Sequence, residues 1–144
     1  MQNNLVHKTK FEGKYADLSE KFIQVFYQVH KKLGFGFSEK VYQKALLFAL
    51  CQAGLEVEEQ VPIKVYFRGQ LVGEFYADML INNVILLELK SVSEIIADHE
   101  AQLLNYLKAT DIEVGYILNF GKSATFKRKI FDNVRKGSLQ WMMK

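Results

Sequence analysis

In the first part of the chain, apolar and polar positions alternate with helical periodicity over two stretches. Apolar residues recur at three- and four-residue steps from Asp17 or Ser19 to Leu33, which predicts a first helix over that span. After a glycine-containing loop, Ser38 is a suitable N-cap, and similar spacing predicts a second helix that runs to Gly54.

The pattern then changes to one that is typical of strands. Three segments are rich in β-branched and aromatic side chains, at residues 57–67, 70–80 and 84–92. Arg68-Gly69 and Asn82-Asn83 separate them and are suitable turn pairs. These segments predict an antiparallel meander.

Helical spacing returns at residues 93–110, with six side chains on one broad face: Ile95, Ile96, His99, Leu103, Tyr106 and Leu107. A strand at 114–120 and a short strand within 124–134 follow. The predicted order is α-α-β-β-β-α-β-β. Because amphipathic elements must bury their apolar faces, we expect an α/β fold in which helices flank a mixed central sheet, with residues 1–144 as a single domain.

Composition limits the possible compartments and chemistries. The first twenty residues contain no apolar segment that could act as a signal peptide, and no later window approaches the roughly 18 apolar residues of a membrane span. We therefore expect a cytoplasmic protein without a membrane partner. The single cysteine, Cys51, rules out an internal disulfide and a thiolate metal cluster, and its apolar neighbours predict a place in a helix interior.

Two charges interrupt the apolar strand at residues 84–92. Glu88 and Lys90 lie two residues apart, so they project from the same face as Leu86. If the hairpin brings Asp78 opposite Glu88, two carboxylates and an ammonium group converge. Adjacent carboxylates are tolerated with a divalent cation between them or with one of them protonated, and oxygen ligands suit Mg²⁺ or Mn²⁺.

This metal-site hypothesis sets a condition on the turn between the two strands. A two-residue turn at Asn82-Asn83 would pair Asp78 with Leu87, on the wrong side for Glu88. The site therefore requires a three- or five-residue loop, or a bulge. The alternative is that Glu88 and Lys90 form an ion pair at a strand edge that faces water.

An upstream acid followed by Glu-x-Lys resembles the core of the PD-(D/E)XK nuclease superfamily, although the proline of that motif is absent and Ala77 precedes Asp78. The stretch Gly36-Phe37-Ser38-Glu39-Lys40-Val41-Tyr42 is similar to the pattern that names the GxxExxY protein family, and residues 101–110 and 114–121 resemble its downstream segment. The likeness runs from about Val29 to Gly121 and implies a PD-(D/E)XK nuclease-like fold.

The resemblance implies a set of metal ligands. Asp78 and Glu88 would be the metal carboxylates, the Leu89 carbonyl a further ligand, and Glu39 the helical acid of the same site. Lys90 would stand next to the attacking water. Glu39 has a second interpretation, because an acid at this position also stabilises the positive N-terminal end of a helix.

The resemblance also implies catalytic residues on the helices. Gln102 and Tyr106 match the Gln-x-x-x-Tyr signature of the RecB-type branch, and their spacing puts them on one helical face with His99. His30 is either a metal ligand or a core histidine satisfied by a neighbour. Tyr42 either holds the Glu39 carboxylate by a hydrogen bond or packs against the sheet.

Basic residues concentrate at the C-terminal end although the net charge is only +3. Residues 121–144 contain Lys122, Lys127, Arg128, Lys129, Arg135, Lys136 and Lys144 against a single acid. Such a cluster is either a solvated face or a set of phosphate contacts. In the second case these residues, with Lys31 and Lys32, would bind a nucleic-acid backbone.

The leading hypothesis is a nuclease that uses Mg²⁺ or Mn²⁺ to hydrolyse phosphodiester bonds, with DNA as the expected substrate. The main alternative is a catalytically silent module that keeps the nuclease fold and binds nucleic acid or a protein partner. A third interpretation is a homodimer whose contacts include Trp141, Met142 and Met143.

Overall fold

The computed structural model describes residues 13–136, and the order of elements within them agrees with the prediction. The helices are α1 (Ala16–Leu33), α2 (Glu39–Gln52) and α3 (Ala97–Lys108), and a short 3-10 helix covers Asn133–Lys136. The strands are β1 (Val57–Phe67), β2 (Gln70–Ile81), β3 (Ile85–Lys90), β4 (Val114–Phe120) and β5 (Ala124–Ile130). The proposed dimer contacts Trp141, Met142 and Met143, and the basic Lys144, lie outside the described residues.

The five strands form one mixed sheet in the order β1-β2-β3-β4-β5. Neighbouring strands are antiparallel except for β3 and β4, which are parallel. Parallel strands need a crossover connection, and α3 supplies it. The predicted α/β fold with a mixed central sheet is therefore confirmed, and β3 is its middle strand.

The helices cover both faces of the sheet. Helices α1 and α2 pack on one face against side chains that include Leu87 and Leu89. Helix α3 packs on the other face, where Leu103 and Leu107 share a core with Leu86. Leu86 and Leu87 thus belong to opposite cores, as the alternation predicted for β3 requires.

The turn between β2 and β3 has the odd length that the metal-site hypothesis requires. Ile81 pairs with Ile85, so the loop consists of the three residues 82–84. Asn82 and Asn83 adopt left-handed conformations, with φ of 49° and 63°. Asparagine tolerates this conformation better than most residues do, which explains how the sequence permits the loop.

Two local predictions are wrong. Helix α3 begins at Ala97 rather than at residue 93, because Ile96 stays extended and its N–H donates to His99 Nδ1 at 3.1 Å. Ile95 and Ile96 therefore precede the helix instead of lining its face. Cys51 lies close to the end of α2 and is exposed rather than interior.

No α-helix among residues 13–136 is long and apolar enough to cross a bilayer.

Candidate active site

Asp78 and Glu88 form a carboxylate pair in the middle of the sheet. The pairing of β2 with β3 extends to Met79 and Leu87, and these two acids are the next residues along. At this point, hydrogen bonds between side chains and backbone connect β2 and β3 in place of the backbone–backbone bonds of the ladder. The Asp78 N–H donates to Glu88 Oε2 at 3.1 Å, and the Leu89 N–H donates to Asp78 Oδ2 at 2.7 Å. Each carboxylate therefore binds the backbone of the other's strand, which fixes their relative position.

Burial governs the protonation of this pair. Glu88 is only 8% exposed. Burial, followed by the charge of Asp78, raises the pKa of Glu88 to about 8. Burial also raises the pKa of Asp78, although the hydrogen bond from Leu89 and the charge of Lys90 act in the opposite direction. Without a cation, Glu88 is therefore mostly protonated at neutral pH.

The donor atoms suit a hard divalent cation. Glu39, the first residue of α2, is exposed, and its charge helps to raise the pKa of both Asp78 and Glu88. Among residues 13–136, no three Asp, Glu, His or Cys side chains are grouped closely enough to hold a metal ion. Mg²⁺ is usually bound through one or two carboxylates and keeps several waters. The pair fits that requirement, with Leu89 adjoining it and Glu39 within electrostatic range.

Gln102 and Tyr106 lie on one face of α3, as their spacing predicted. Gln102 Nε2 donates to the Tyr106 hydroxyl at 2.9 Å. Burial, followed by the charge of Glu88, raises the pKa of Tyr106, so its hydroxyl remains protonated near the carboxylate pair. His99 Nδ1 accepts the Ile96 N–H and so caps the start of the helix, and His99 also lines the cleft beside Gln102 and Tyr106.

The segment Gly36–Tyr42 covers the end of the loop before α2 and the first turn of α2. The Tyr42 hydroxyl donates to the Gly34 carbonyl oxygen at 2.6 Å and accepts the Phe37 N–H at 3.3 Å. Its buried ring stacks on Phe120 with 4.4 Å between the ring centroids. Of the two roles considered for Tyr42, packing against the sheet is the one observed, and its hydroxyl binds loop backbone rather than a carboxylate.

His30 supports the backbone just after β4. Its Nε2 lies 2.7 Å from the Gly121 carbonyl oxygen and donates to it, because a carbonyl can only accept. Its ring stacks with Phe120 at a centroid distance of 6.3 Å. These contacts are those of a histidine satisfied by its neighbours, and metal binding would be left to Nδ1.

Asn119 is a positioning residue that the sequence analysis missed. It is buried and pairs with Lys90 in the parallel register. Its Oδ1 accepts the Val92 N–H at 2.9 Å, and its Nδ2 donates to the Val92 carbonyl oxygen at 3.0 Å. A Cβ at Gly121 would lie 2.5 Å from the same carbonyl oxygen. A lone amide in the apolar strand VGYILNF was the signal that could have revealed this clamp.

Two clefts are lined in part by predicted site residues. The first, which we call the loop cleft, has a volume of about 680 Å³ and is lined by residues that include Phe35, Phe37, Glu39, Ser91 and Lys122. The second, the helix cleft, has a volume of about 670 Å³ and is lined by residues that include Phe75, His99, Gln102, Asn105 and Tyr106. Glu39 of the loop cleft and Tyr106 of the helix cleft both interact electrostatically with the pair, although neither Asp78 nor Glu88 lines either cleft.

The C-terminal basic residues do not form one surface. Lys129 pairs with Glu100 at 2.6 Å, and Arg128 donates to the Lys14 carbonyl oxygen at 3.3 Å. Lys136 is buried, and its Nζ binds two backbone carbonyls. Five other basic residues of the predicted phosphate contacts are exposed: Lys31, Lys32, Lys122, Lys127 and Arg135.

Comparison with known proteins identifies the family. The family model of the PD-(D/E)XK nuclease superfamily matches residues 16–130, from the first residue of α1 to the last of β5. The chain therefore belongs to this superfamily. No curated protein matches it significantly.

A solved structure, that of SSO0001, resembles the chain with a TM-score of 0.51 at 18% sequence identity. The likeness covers 70% of this chain, and the chain spans 55% of the length of SSO0001. At this level of identity the likeness shows a shared fold.

Proposed function

We propose that this member of the PD-(D/E)XK nuclease superfamily hydrolyses phosphodiester bonds in DNA, with Mg²⁺ or Mn²⁺ as its cofactor. The observation that carries the proposal is the pair formed by the half-buried Asp78 and the buried Glu88, held in register by hydrogen bonds to the backbone. Lys90 lies on the same face of β3, one step beyond Glu88. Two buried carboxylates destabilise each other as anions, and a divalent cation bound to both removes that repulsion.

The side chains of this site have distinct roles in the proposed reaction. Asp78 and Glu88 would hold the cation, which would polarise the scissile phosphate and lower the pKa of a bound water. Glu39 would add a carboxylate from the start of α2. Lys90 would orient the attacking water or stabilise the negative charge that develops on the phosphate oxygens. Tyr106, which keeps its proton, would donate a hydrogen bond to a phosphate oxygen.

Exposed lysines around the site would bind the phosphate backbone without reading bases. Lys122 lines the loop cleft, and Lys31 and Lys32 lie in the last turn of α1. Lys127 belongs to the same cross-strand row as Glu88, because both pair with the same residue of β4. Two strand spacings, or about 10 Å, separate their backbones.

Within the superfamily, we assign the chain to the RecB-type branch and to the GxxExxY family. The first assignment is supported by the hydrogen-bonded pair Gln102 and Tyr106. The second is supported by Gly36–Tyr42, because Gly36 adopts a φ of 112° and Tyr42 binds the loop through its hydroxyl.

Cleavage assays with single-residue variants test the proposed function. Asp78→Asn and Glu88→Gln should each lower Mg²⁺-dependent kcat/KM on DNA by at least about a thousandfold, since the loss of several kcal/mol of transition-state stabilisation corresponds to that factor. Glu20→Gln is the matched control, because Glu20 is an exposed carboxylate on α1. Circular dichroism would confirm that all three variants fold.

The outcomes separate the proposal from its alternative. Cleavage that survives both substitutions would place the chemistry elsewhere in the molecule. Wild-type protein that binds DNA or RNA without cleaving single-stranded, duplex or branched forms would instead identify a catalytically silent binding module.

A further inference from the structure

We propose that the substrate is unpaired where it is cleaved, and that Phe35 and Phe37 stack an unpaired base beside the scissile phosphate while Lys122 contacts the adjoining phosphate. This inference rests on the proposed nuclease function and specifies the form of its substrate. We call the two phenylalanines together with Lys122 the stacking platform.

The two rings are exposed at a place where a nucleotide fits. Phe35 is 57% exposed and Phe37 is 48% exposed, although both are large apolar side chains. They line the loop cleft, whose volume of about 680 Å³ lies in the range of small-molecule sites. Apolar rings that face water at the wall of a cleft are available to stack on the flat face of a base.

The loop that carries these rings is held by several side chains. Gly34 and Gly36 adopt φ of 74° and 112°, conformations that residues other than glycine rarely adopt. Tyr42 binds both Gly34 and Phe37, and the Ser91 hydroxyl, whose shorter contact is with the Phe120 carbonyl oxygen at 3.3 Å, lies 3.5 Å from the Phe37 carbonyl oxygen. The rings are therefore presented by a fixed backbone, which lowers the entropy lost when a ligand binds.

The charge of the platform is complementary to a nucleic-acid strand. Lys122 Nζ lies 5.9 Å from the centroid of the Phe35 ring. Surfaces that bind single strands combine aromatic rings for the bases with cationic groups for the phosphates. An apolar protein segment would contact the rings but would offer no anionic group to Lys122. A nucleotide has both a flat base for the rings and a phosphate for the lysine.

The platform adjoins the proposed catalytic residues. Glu39 follows Phe37 by two residues, and Ser91, which follows Lys90, lines the same cleft. A strand that places its phosphate at Asp78 and Glu88 therefore brings a neighbouring base to the rings. In a duplex both faces of that base are covered by adjacent base pairs, so stacking requires an unpaired nucleotide.

The experiment compares single-stranded and duplex oligonucleotides of one sequence, in DNA and RNA form. Binding is measured by fluorescence anisotropy in a Glu88→Gln background that prevents cleavage, and kcat/KM is measured in the wild-type background. Phe35→Ala and Phe37→Ala should each weaken single-strand binding roughly 5- to 150-fold. Phe48→Ala is the matched control and should change nothing, because Phe48 is 66% exposed on α2 and lines neither cleft.

Two further variants and one modified substrate test whether the loss of binding is due to the loss of stacking between the ring and a base. Phe35→Tyr retains an aromatic face and should restore binding, whereas Phe35→Leu keeps apolar volume without that face and should not. In the Glu88→Gln background, an oligonucleotide with an abasic site next to the scissile phosphate should bind equally well with and without Phe35→Ala, because the base that stacks is gone.

Each outcome bears on one of the two proposals. Equal cleavage of single strands and duplexes, with no effect of Phe35→Ala or Phe37→Ala, would overturn the stacking platform and leave the nuclease function standing. Equal losses on single strands and duplexes would also overturn it. If no substrate is cleaved but single-strand binding depends on both rings, the nuclease function fails and the platform is supported.

Discussion

Glu88 occupies a site where the neutral acid is more stable than the carboxylate as long as no cation is bound. Burial and Asp78 raise its pKa from 4.5 to about 8, and burial raises the pKa of Asp78 as well. Between those two pH values the metal-free folded protein retains a proton that the unfolded chain has released. The stability that this proton provides is complete below the unfolded pKa and is lost as the pH rises through the folded pKa.

We therefore predict that the metal-free protein becomes less stable from about pH 5 to about pH 9. A tenfold change in proton affinity is worth about 1.4 kcal/mol, so the free energy of unfolding should fall by a few kcal/mol. Glu88→Gln should remove most of this decline, because the amide cannot ionise. Urea denaturation in the presence of a chelator measures the effect, and Glu20→Gln should behave like the wild type. A flat wild-type profile over this range would contradict the account.

Asn119 is a buried amide that fixes the backbone of Val92, two residues after Lys90. Asn119→Ala would leave the Val92 N–H and carbonyl without their partner, which costs about 1–3 kcal/mol. We predict this loss of stability together with a fall in kcat that exceeds the change in KM, because the backbone that follows Lys90 would lose its hydrogen bonds to Asn119. Thr125→Ala is the control. It removes the hydrogen bond that Asn119 Nδ2 donates to the Thr125 hydroxyl at 3.3 Å, which is longer than the two bonds to Val92, and it leaves those two bonds in place. A variant with full activity and lower stability would reduce Asn119 to a structural role.

At the scale of elements, the β2–β3 hairpin decides whether the two carboxylates meet. A loop of three residues sets Asp78 opposite Glu88, whereas a loop of two would turn Glu88 to the other face. The loop depends on backbone conformations with positive φ at Asn82 and Asn83. The sequence of this loop therefore determines how Asp78 and Glu88 face each other, although the loop lies several residues away from both.

We predict that Asn83→Val destabilises the protein by about 1–2 kcal/mol, because a β-branched residue is strained at positive φ. Asn83→Gly should change the stability by less than about 0.5 kcal/mol, since glycine adopts this conformation freely. Thermal unfolding of both variants measures the difference. Equal stability of the valine and glycine variants would show that the hairpin does not depend on this residue.

At the scale of the whole molecule, periodicity predicted the order of the elements, because amphipathic helices and alternating strands carry that information locally. It also set the condition on the hairpin that brings Asp78 to Glu88. It failed at Ile95 and Ile96, where the His99 cap overrides helical spacing. The spread of the C-terminal basic residues over separate surfaces depends on strand alternation and ion pairing, which composition does not reveal.

Parts of the candidate site depend on contacts between distant segments. Tyr42 has a hydroxyl that could bind an acid or the backbone, and only the folded loop shows that it binds Gly34 and Phe37. Asn119 acts on Val92, 27 residues away in the chain. The two clefts exist only where segments that are distant in the chain meet, so a single sequence gives no local signal for them.

We propose above that Asp78 and Glu88 together bind a divalent cation. Anomalous diffraction from a crystal soaked in Mn²⁺ tests it most directly. We predict one strong peak within ligand distance of a carboxylate oxygen from each residue, absent from crystals of Glu88→Gln soaked in the same way. A wild-type crystal with no peak between the two carboxylates, or with its peak elsewhere on the surface, would contradict the claim.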